Sequence, residues 1–274
     1  MMPSRILITG AGSGFGREVA LRLAKKGHHV IAGVQIHAQM TDLLLEAQKR
    51  GVTLTVEKLD ITDTIDRTHI FKHEIDILVN NAGIGETGPI GEVPVDIVRR
   101  VFEVNIFGTL AITQGFLPQM VERKNGRVIF VSSIAGLVAM PFGAPYCASK
   151  HALEAIAGGL RIEVAPYNVS VATINPAMIL TGFNDRMLQT WRQWYDPSKN
   201  FTKPEDFPLS QLPNNQAEVL PIGMQFDPET TYEVFLDVIE NDNGSYRNMA
   251  PPSVATDFEQ QQKAVWTQTS RVQP

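Results

Sequence analysis

The feature that most constrains this chain is a rhythm. Short apolar runs of β-forming residues alternate with longer stretches of helical period, the pattern of a parallel sheet covered by helices. Arg5–Thr9 reads as a first strand, and Gly16–Lys26 as a helix with Val19, Ala20, Leu23 and Ala24 on its buried stripe. Gly27 then stops that helix. His29–Val34, Leu54–Leu59, Asp76–Val79, Gly126–Val131 and Val169–Ile174 read as strands two to six, with Tyr246–Met249 a final one. Long helices are expected over Val95–Glu122 and Pro145–Ala165, with Phe102 and Phe107 in the core. The connection Thr62–His73 is short for a helix between strands three and four. The expected fold is α/β: a doubly wound parallel sheet, Rossmann-like, in one domain over residues 1–252, with a polar tail over 253–274.

Charge and cysteine content narrow the function. A formal net charge of −5, with no basic tract, argues against a dedicated nucleic-acid binder. The single cysteine, Cys147, excludes an internal disulfide framework and a cysteine-based zinc cluster, and no metal site is expected. Beside the tyrosine that precedes it, Cys147 points about 100° away on a helix, so packing is its expected job. No apolar run approaches the roughly 20 residues that span a bilayer. No signal-peptide core is legible at the N-terminus, so no membrane partner and a cytoplasmic setting are the expectation.

Two local patterns carry chemistry. Thr9-Gly10-Ala11-Gly12-Ser13-Gly14-Phe15-Gly16 stands where the first strand hands over to the first helix. Glycines there let the backbone turn tightly and approach a pyrophosphate, which free N–H groups and the dipole of the helix N-terminus attract. The spacing is Thr-Gly-x-x-x-Gly-x-Gly, not G-x-G-x-x-G, because position 17 is Arg17. Alone, such a turn also has a plain reading as a tight strand–helix connection, which the well-formed flanking strand and helix make the lesser one. Tyr146-Cys147-Ala148-Ser149-Lys150 opens a helix, and a spacing of four sets phenol and ammonium on one face. A phenol titrates near 10, and a neighbouring cation is expected to lower that value toward neutral pH. This pattern too occurs by chance in helices.

Position removes the ambiguity. Ser132-Ser133 follows the fifth strand, Asn80-Asn81-Ala82-Gly83 the fourth and Asn175-Pro176 the sixth, all at carboxyl ends. In an open α/β sheet those ends gather at one edge with the glycine turn. Four polar clusters therefore meet in one crevice.

With TGAGSGFG at Thr9–Gly16, Asp60, NNAG at Asn80–Gly83, Asn105, Ser133 and YCASK at Tyr146–Lys150, the chain resembles the short-chain dehydrogenase/reductase family in its common form. The likeness runs from Ile6 to about Thr181 and continues weakly into Asp227–Met249. It implies an NAD(P)-dependent oxidoreductase moving hydride between a nicotinamide and an alcohol or ketone. Tyr146 would be the acid/base, Ser133 would orient the substrate oxygen, and Lys150 would bind the nicotinamide ribose and lower the phenol pKa. Asn105 would hold a relay water beside Lys150. Gly10, Ser13, Gly14, Phe15, Gly16 and Gln35 would meet the cofactor, Asp60 and Ile61 its adenine, and Asn81, Ala82 and Gly83 its adenosine ribose. Ile179 and Thr181 would touch the nicotinamide amide and phosphate. Pro176-Ala177 stands where Pro-Gly is usual. The resemblance further implies a homo-oligomer, dimer or tetramer, paired through the two long helices.

Cofactor choice turns on the residues after strand two. Gly33-Val34-Gln35-Ile36-His37 offers neither an acid for a ribose diol nor an arginine for a 2′-phosphate, and Ser13 is neutral. The reading leans to NAD, with Arg17 and Lys26 keeping NADP open. A cofactor-binding regulator without turnover is the alternative function, against which the set Asn105, Ser133, Tyr146 and Lys150 counts.

The segment Met178–Met224 holds five of the 17 prolines and reads as a lid over a small-molecule substrate. Within it Phe183–Tyr195 can form a helix whose apolar face carries Met187, Trp191, Trp194 and Tyr195. A bulky apolar ketone, or its secondary alcohol, is the expected substrate. Asp227-Pro228-Glu229 then starts a further helix with Asp227 as N-cap.

Overall fold

A computed structural model describes residues 3–179, 181–206, 226, 228–242 and 244–267. Most of the second half of the expected lid (207–224), Leu180 and the Asp227 cap lie outside the described residues. The strands are β1 (Arg5–Ile8), β2 (His29–Val34), β3 (Thr55–Lys58), β4 (Ile77–Asn80), β5 (Gly126–Val131), β6 (Val169–Pro176) and β7 (Arg247–Ala250). They form one parallel sheet in the order β3-β2-β1-β4-β5-β6-β7. The chain winds outward from β1 to β3, returns to the far side of β1 as β4, and winds outward again. That reversal leaves a crevice past the carboxyl ends of β1 and β4.

Strand periodicity divides the core into two layers. Ile6 and Ile8 of β1 face α1 (Gly14–Lys25), α2 (His37–Lys49) and α8 (Pro228–Glu240). Leu7 faces the opposite layer, which holds α5 (Thr109–Arg123) and α6 (Ala144–Val164). All three side chains are fully buried, and each such aliphatic contributes about 1.5–3 kcal/mol over an exposed one.

Three elements depart from the sequence reading. No helix is legible between β2 and β3, yet α2 is there. It buries only Leu43 and Ala47 while Leu44 and Leu45 stay about half exposed, so its apolar residues mark no clean stripe. The short connection after β3 does hold a helix, α3 (Thr64–Ile70), started by Asp63, whose carboxylate accepts the Asp66 N–H at 2.9 Å. The long helix after β4 is α4 (Val95–Phe102), a π-helical turn over Glu103–Gly108, and then α5. The π turn inserts one residue into the helical register. Asn105 and Ile106 consequently point inward, whereas Phe107, expected in the core, is 57% exposed. Beyond β7 the described part of the tail is helical, α9 (Ala255–Ala264), and buries none of its residues.

The centre of the sheet is locked by one reciprocal clamp. Thr9 Oγ1 accepts the N–H groups of Asn81 and Ala82, both at 3.0 Å. Asn81 Nδ2 answers by donating to the carbonyls of Thr9 at 2.9 Å and Gly10 at 3.1 Å. Thr9→Val keeps the shape and removes the acceptor of the Ala82 N–H, which costs about 1–3 kcal/mol when left unmade, while the Asn81 N–H keeps the Val79 carbonyl at 3.0 Å. Denaturant unfolding should show a loss of about 1–3 kcal/mol, with Thr9→Ser close to the parent; equal midpoints for the valine variant and the parent would remove the clamp's role.

Candidate active site

The crevice begins at the glycine turn. Gly10 and Gly14 sit at φ +66 and +54, in the left-handed region that side chains avoid. A Cβ on Gly10 would stand 2.7 Å from Ala82 Cα, so the β1 and β4 ends approach only because it is glycine. Gly16 does a different job. Its Cβ would meet Asn81 Nδ2 at 2.5 Å and the Gly10 carbonyl at 2.7 Å, so it seats α1 on the clamp behind the cleft wall. No acidic residue occupies the first turn of α1, which leaves its N-terminal N–H groups and dipole for an anion.

A cleft of about 400 Å³ opens on this turn. Gly10, Ser13, Gly14 and Phe15 line it at the turn; Gln35, Asp60 and Ile61 line it toward β2 and β3; Asn81, Ala82 and Gly83 line its floor. Ser133, Tyr146, Lys150, Ile179 and Thr181 line it toward β5 and β6. All the expected site residues therefore converge there except Gly16 and Asn105, which stand behind the lining. A flat-backed turn with an unopposed helix N-terminus, leading to a long cleft, fits a dinucleotide.

At the β2 corner Gln35 Nε2 donates to Asp60 Oδ2 at 3.0 Å, so the amide expected to meet a ribose hydroxyl already serves a carboxylate. Asp60 Oδ1 also accepts from the Thr62 backbone N–H at 2.9 Å and hydroxyl at 2.7 Å. Burial opposes ionisation of Asp60, but the Gln35 and Thr62 hydrogen bonds outweigh it and hold the carboxyl below its ordinary range. Gln39 is a lining residue that the sequence reading missed. Its Oε1 accepts the Gln35 N–H at 2.9 Å and the Ile36 N–H at 3.3 Å, and its side chain fills the space a Cβ on Gly12 would enter. A glutamine three residues into a helix, reaching back to the cap, was the available signal.

On the other side, β5 ends in Ser133, whose hydroxyl caps the short turn Ile134–Gly136 by accepting the Ala135 N–H at 3.1 Å. The same hydroxyl donates to the Pro176 carbonyl at 3.4 Å and stands near enough to the Tyr146 phenol to favour its ionisation. Tyr146 and Lys150 are one turn apart on α6 and both buried. Lys150 Nζ donates to the Val131 carbonyl at 2.8 Å and lies 5.6 Å from the centre of the Tyr146 ring. Asn105, on the π turn, donates from Nδ2 to the Ile84 carbonyl at 2.8 Å and to Ser149 Oγ at 3.0 Å, and accepts the Ile84 N–H at 2.8 Å. Its side chain thus ties the loop after β4 to α6. Cys147 packs with Ala135 and Tyr146, as its helical position implies.

The electrostatics differ from expectation. Burial pushes the Tyr146 phenol above its ordinary value, and the nearby Ser133 hydroxyl only partly offsets that. Lys150 does not lower it, because burial acts on Lys150 as well, pushing the ammonium down to about 8 against the pull of the Glu154 carboxylate. Where both partners lose hydration, desolvation outweighs the attraction expected between ammonium and phenolate.

The outer wall of the cleft is α7 (Phe183–Trp194). Phe183 sets its ring 5.6 Å from that of Tyr146, and Met187 joins the same apolar cluster. Met187 also fills the space over Gly85, and its carbonyl accepts from Thr87 Oγ1 at 2.9 Å. Trp191, Trp194 and Tyr195 do not line the cleft: Trp191 is buried against Tyr195, with ring centres 5.1 Å apart, and Trp194 lies over Gly88. The helical face read from the sequence is real, but its cleft-facing members are Phe183 and Met187.

Comparison with known proteins fits this geometry. A family model described as short chain dehydrogenase matches residues 4–192. Human retinol dehydrogenase 8 is 33% identical over 193 residues, 68% of this chain and 62% of its own length. Human 17-beta-hydroxysteroid dehydrogenase type 1 is 32% identical over 247 residues, 85% of this chain and 73% of its own. The first relatives are matched over only 57% to 62% of their lengths. A short chain dehydrogenase/reductase from Burkholderia phymatum, solved in complex with NAD, superposes with a TM-score of 0.78 at 20% identity. That superposition covers 99% of this chain and 97% of that one, and it shows the same fold.

A raised phenol pKa keeps Tyr146 protonated through neutral pH in the free protein. Tyrosinate absorbance, parent minus Tyr146→Phe, should show no ionisation of this phenol below pH about 10. A difference signal with a midpoint at pH 8 or lower would overturn the dominance of burial.

Proposed function

The chain belongs to the short-chain dehydrogenase/reductase family, and from that premise we propose that it transfers hydride between a nicotinamide dinucleotide and a bulky apolar ketone or its secondary alcohol. The observation that carries the reading is the convergence of Ser133, Tyr146 and Lys150 on the wall of one cleft that starts at the glycine turn. When bound, the cofactor supplies or accepts the hydride. Tyr146, its proton retained by burial, donates to the carbonyl oxygen during reduction and takes the proton back during oxidation. Ser133 holds that oxygen through its hydroxyl. Lys150 would hold the nicotinamide ribose, and Asn105 fixes the loop after β4 against the helix that carries both Tyr146 and Lys150. Ile179 and Thr181 hold the nicotinamide end. Backbone N–H groups at Ser13 and Gly14 receive the pyrophosphate, and Asp60, Ile61, Asn81, Ala82 and Gly83 the adenosine.

The corner after β2 supports NAD over NADP. Ser13, Gln35 and Gln39 are neutral, and the Asp60 carboxylate held by Gln35 repels a 2′-phosphate. The wall supports a bulky apolar substrate: Phe183, Met187 and Met140 face the Tyr146 phenol, so α7 acts as the lid. The names of the two relatives, retinol and a hydroxysteroid, are those of large apolar alcohols.

A panel of ketones and alcohols assayed with NADH, NADPH and their oxidised forms tests the reading. Turnover should favour NADH and large apolar ketones over acetone or keto acids; absence of turnover with every pair would favour a binding protein. Tyr146→Phe should lower kcat by about 10²-fold or more while NADH affinity stays within a factor of about three. Retention of a tenth of the activity would mean another group moves the proton. Met187→Ala should cost the bulky ketone about tenfold in kcat/KM and leave a small one nearly unaffected, since burying a side chain of this size contributes about 1.5–3 kcal/mol. An unchanged ranking of substrates would detach α7 from recognition.

A further inference from the structure

Glu154 is a buried carboxylate that the proposed chemistry does not use. It follows Lys150 by one helical turn and Tyr146 by two, on the stripe of α6 that faces the sheet. Its Oε1 accepts from Asn175 Nδ2 at 2.6 Å, and its Oε2 pairs with Arg247 Nη2 of β7 at 3.1 Å. The fully buried Asn175 ends β6, and its Nδ2 also donates to the Ser133 carbonyl at 3.2 Å. Its Oδ1 accepts from Thr173 Oγ1 at 2.9 Å, so the amide cannot turn over without losing partners at both ends. The Tyr246 hydroxyl donates to the Glu154 carbonyl at 3.3 Å. A continuous polar chain therefore runs from the edge strand β7 through Glu154 and Asn175 to the backbone of Ser133. Gly136 packs against the same place: a Cβ there would stand 2.7 Å from Ser132 Oγ, 3.0 Å from the Lys150 carbonyl and 3.1 Å from Glu154 Cγ.

We propose that Glu154 is a positioning residue for hydride transfer, fixing the Ser133 turn through Asn175 and serving as the internal counter-charge of Lys150. This rests on the reading of Ser133 and Lys150 given above. Burying a carboxylate is costly unless it is hydrogen-bonded and paired, and here each oxygen has a partner. Arg247 alone would satisfy an ion pair at the surface; burial beneath Ser133 is needed only if the carboxylate acts inward. The groups that face Lys150 are Tyr146 and Glu154 on its own helix, Ser133 and the Val131 carbonyl after and on β5, and Asn105 across Gly83. Among these only Glu154 is an anion at neutral pH. Removing its charge disfavours the ammonium, so Lys150 loses its proton at a lower pH than the about 8 of the parent.

Two variants separate tether from charge. Glu154→Gln keeps an acceptor for Asn175 and loses the anion; Glu154→Ala loses both. The dissociation constant of NADH is measured from pH 6 to 10, and the limb that vanishes in Lys150→Met reports the lysine. Glu154→Gln should move that limb down by a pH unit or more, with amide hydrogen exchange over Ser132–Leu137 as in the parent. Glu154→Ala should move the limb equally and also raise exchange over Ser132–Leu137 about tenfold or more, with kcat falling further than KM rises. A Glu154→Gln limb at the parent position overturns the counter-charge, and unchanged exchange in Glu154→Ala overturns the tether. Either result makes the proposal wrong. A parent protein that binds no NADH or shows no such limb overturns the charge role together with the cofactor reading, while the exchange measurement, which needs no cofactor, still decides the tether.

Discussion

The close approach of β1 and β4 is the constraint on which the rest depends. Parallel strands on either side of the winding reversal would ordinarily diverge at their ends, as the helices that follow them go to opposite faces. Here Thr9-Gly10 and Asn81-Ala82 exchange four hydrogen bonds across that gap, and Gly10 lets the backbone of Ala82 come within contact. The pyrophosphate turn and the floor of the cleft are therefore two sides of a single junction. Gly16 extends it by pressing α1 onto Asn81. The cofactor end of the cleft is rigid because it is built from main chain.

The catalytic end follows a different logic. Tyr146 and Lys150 are buried, so their charges are set by how much hydration each gives up. A phenol held protonated beside an ammonium pulled down to about 8 describes a site whose proton is loaded at neutral pH. That suits donation to a carbonyl oxygen, whereas the reverse step needs the phenol to be brought down from its value in the free protein.

Much of this was legible in the sequence for physical reasons. Central strands such as β1, β2 and β5 are buried on both faces and carry the unbroken apolar runs Ile6–Ile8, Val30–Val34 and Val128–Val131. The site residues on strand ends were legible because the topology alone brings those ends together. What escaped did so where a tertiary contact overrode local pattern. The α2 helix has little buried surface, so its period is weak. The π turn at Glu103–Gly108 leaves no mark in composition, and it reversed the expectation for Phe107 while delivering Asn105 to Ile84 and Ser149. Of the apolar face read as Met187, Trp191, Trp194 and Tyr195, only Met187 meets the cleft, joined there by Phe183, because helical period defines a face but not which end of it meets the site. The direction of the Tyr146 shift was lost similarly: spacing shows that a lysine is near, not that both groups are dry.

The anchoring of Ser133 through Arg247 has a consequence for the order of events during synthesis. The strands β1 to β4, with the glycine turn and its clamp, are complete once the first 85 or so residues have left the ribosome, and N-terminal units generally assemble first. The Ser133 turn and the Tyr146–Lys150 pair emerge later but still lack their last support. That support arrives on β7, Arg247–Ala250, which must insert beside β6 before Glu154 acquires its arginine. The residues that build the glycine turn and its clamp thus leave the ribosome well before the arginine that completes the support of Ser133. The two ends of the cleft are separated in the order of synthesis by the length of the chain between β4 and β7.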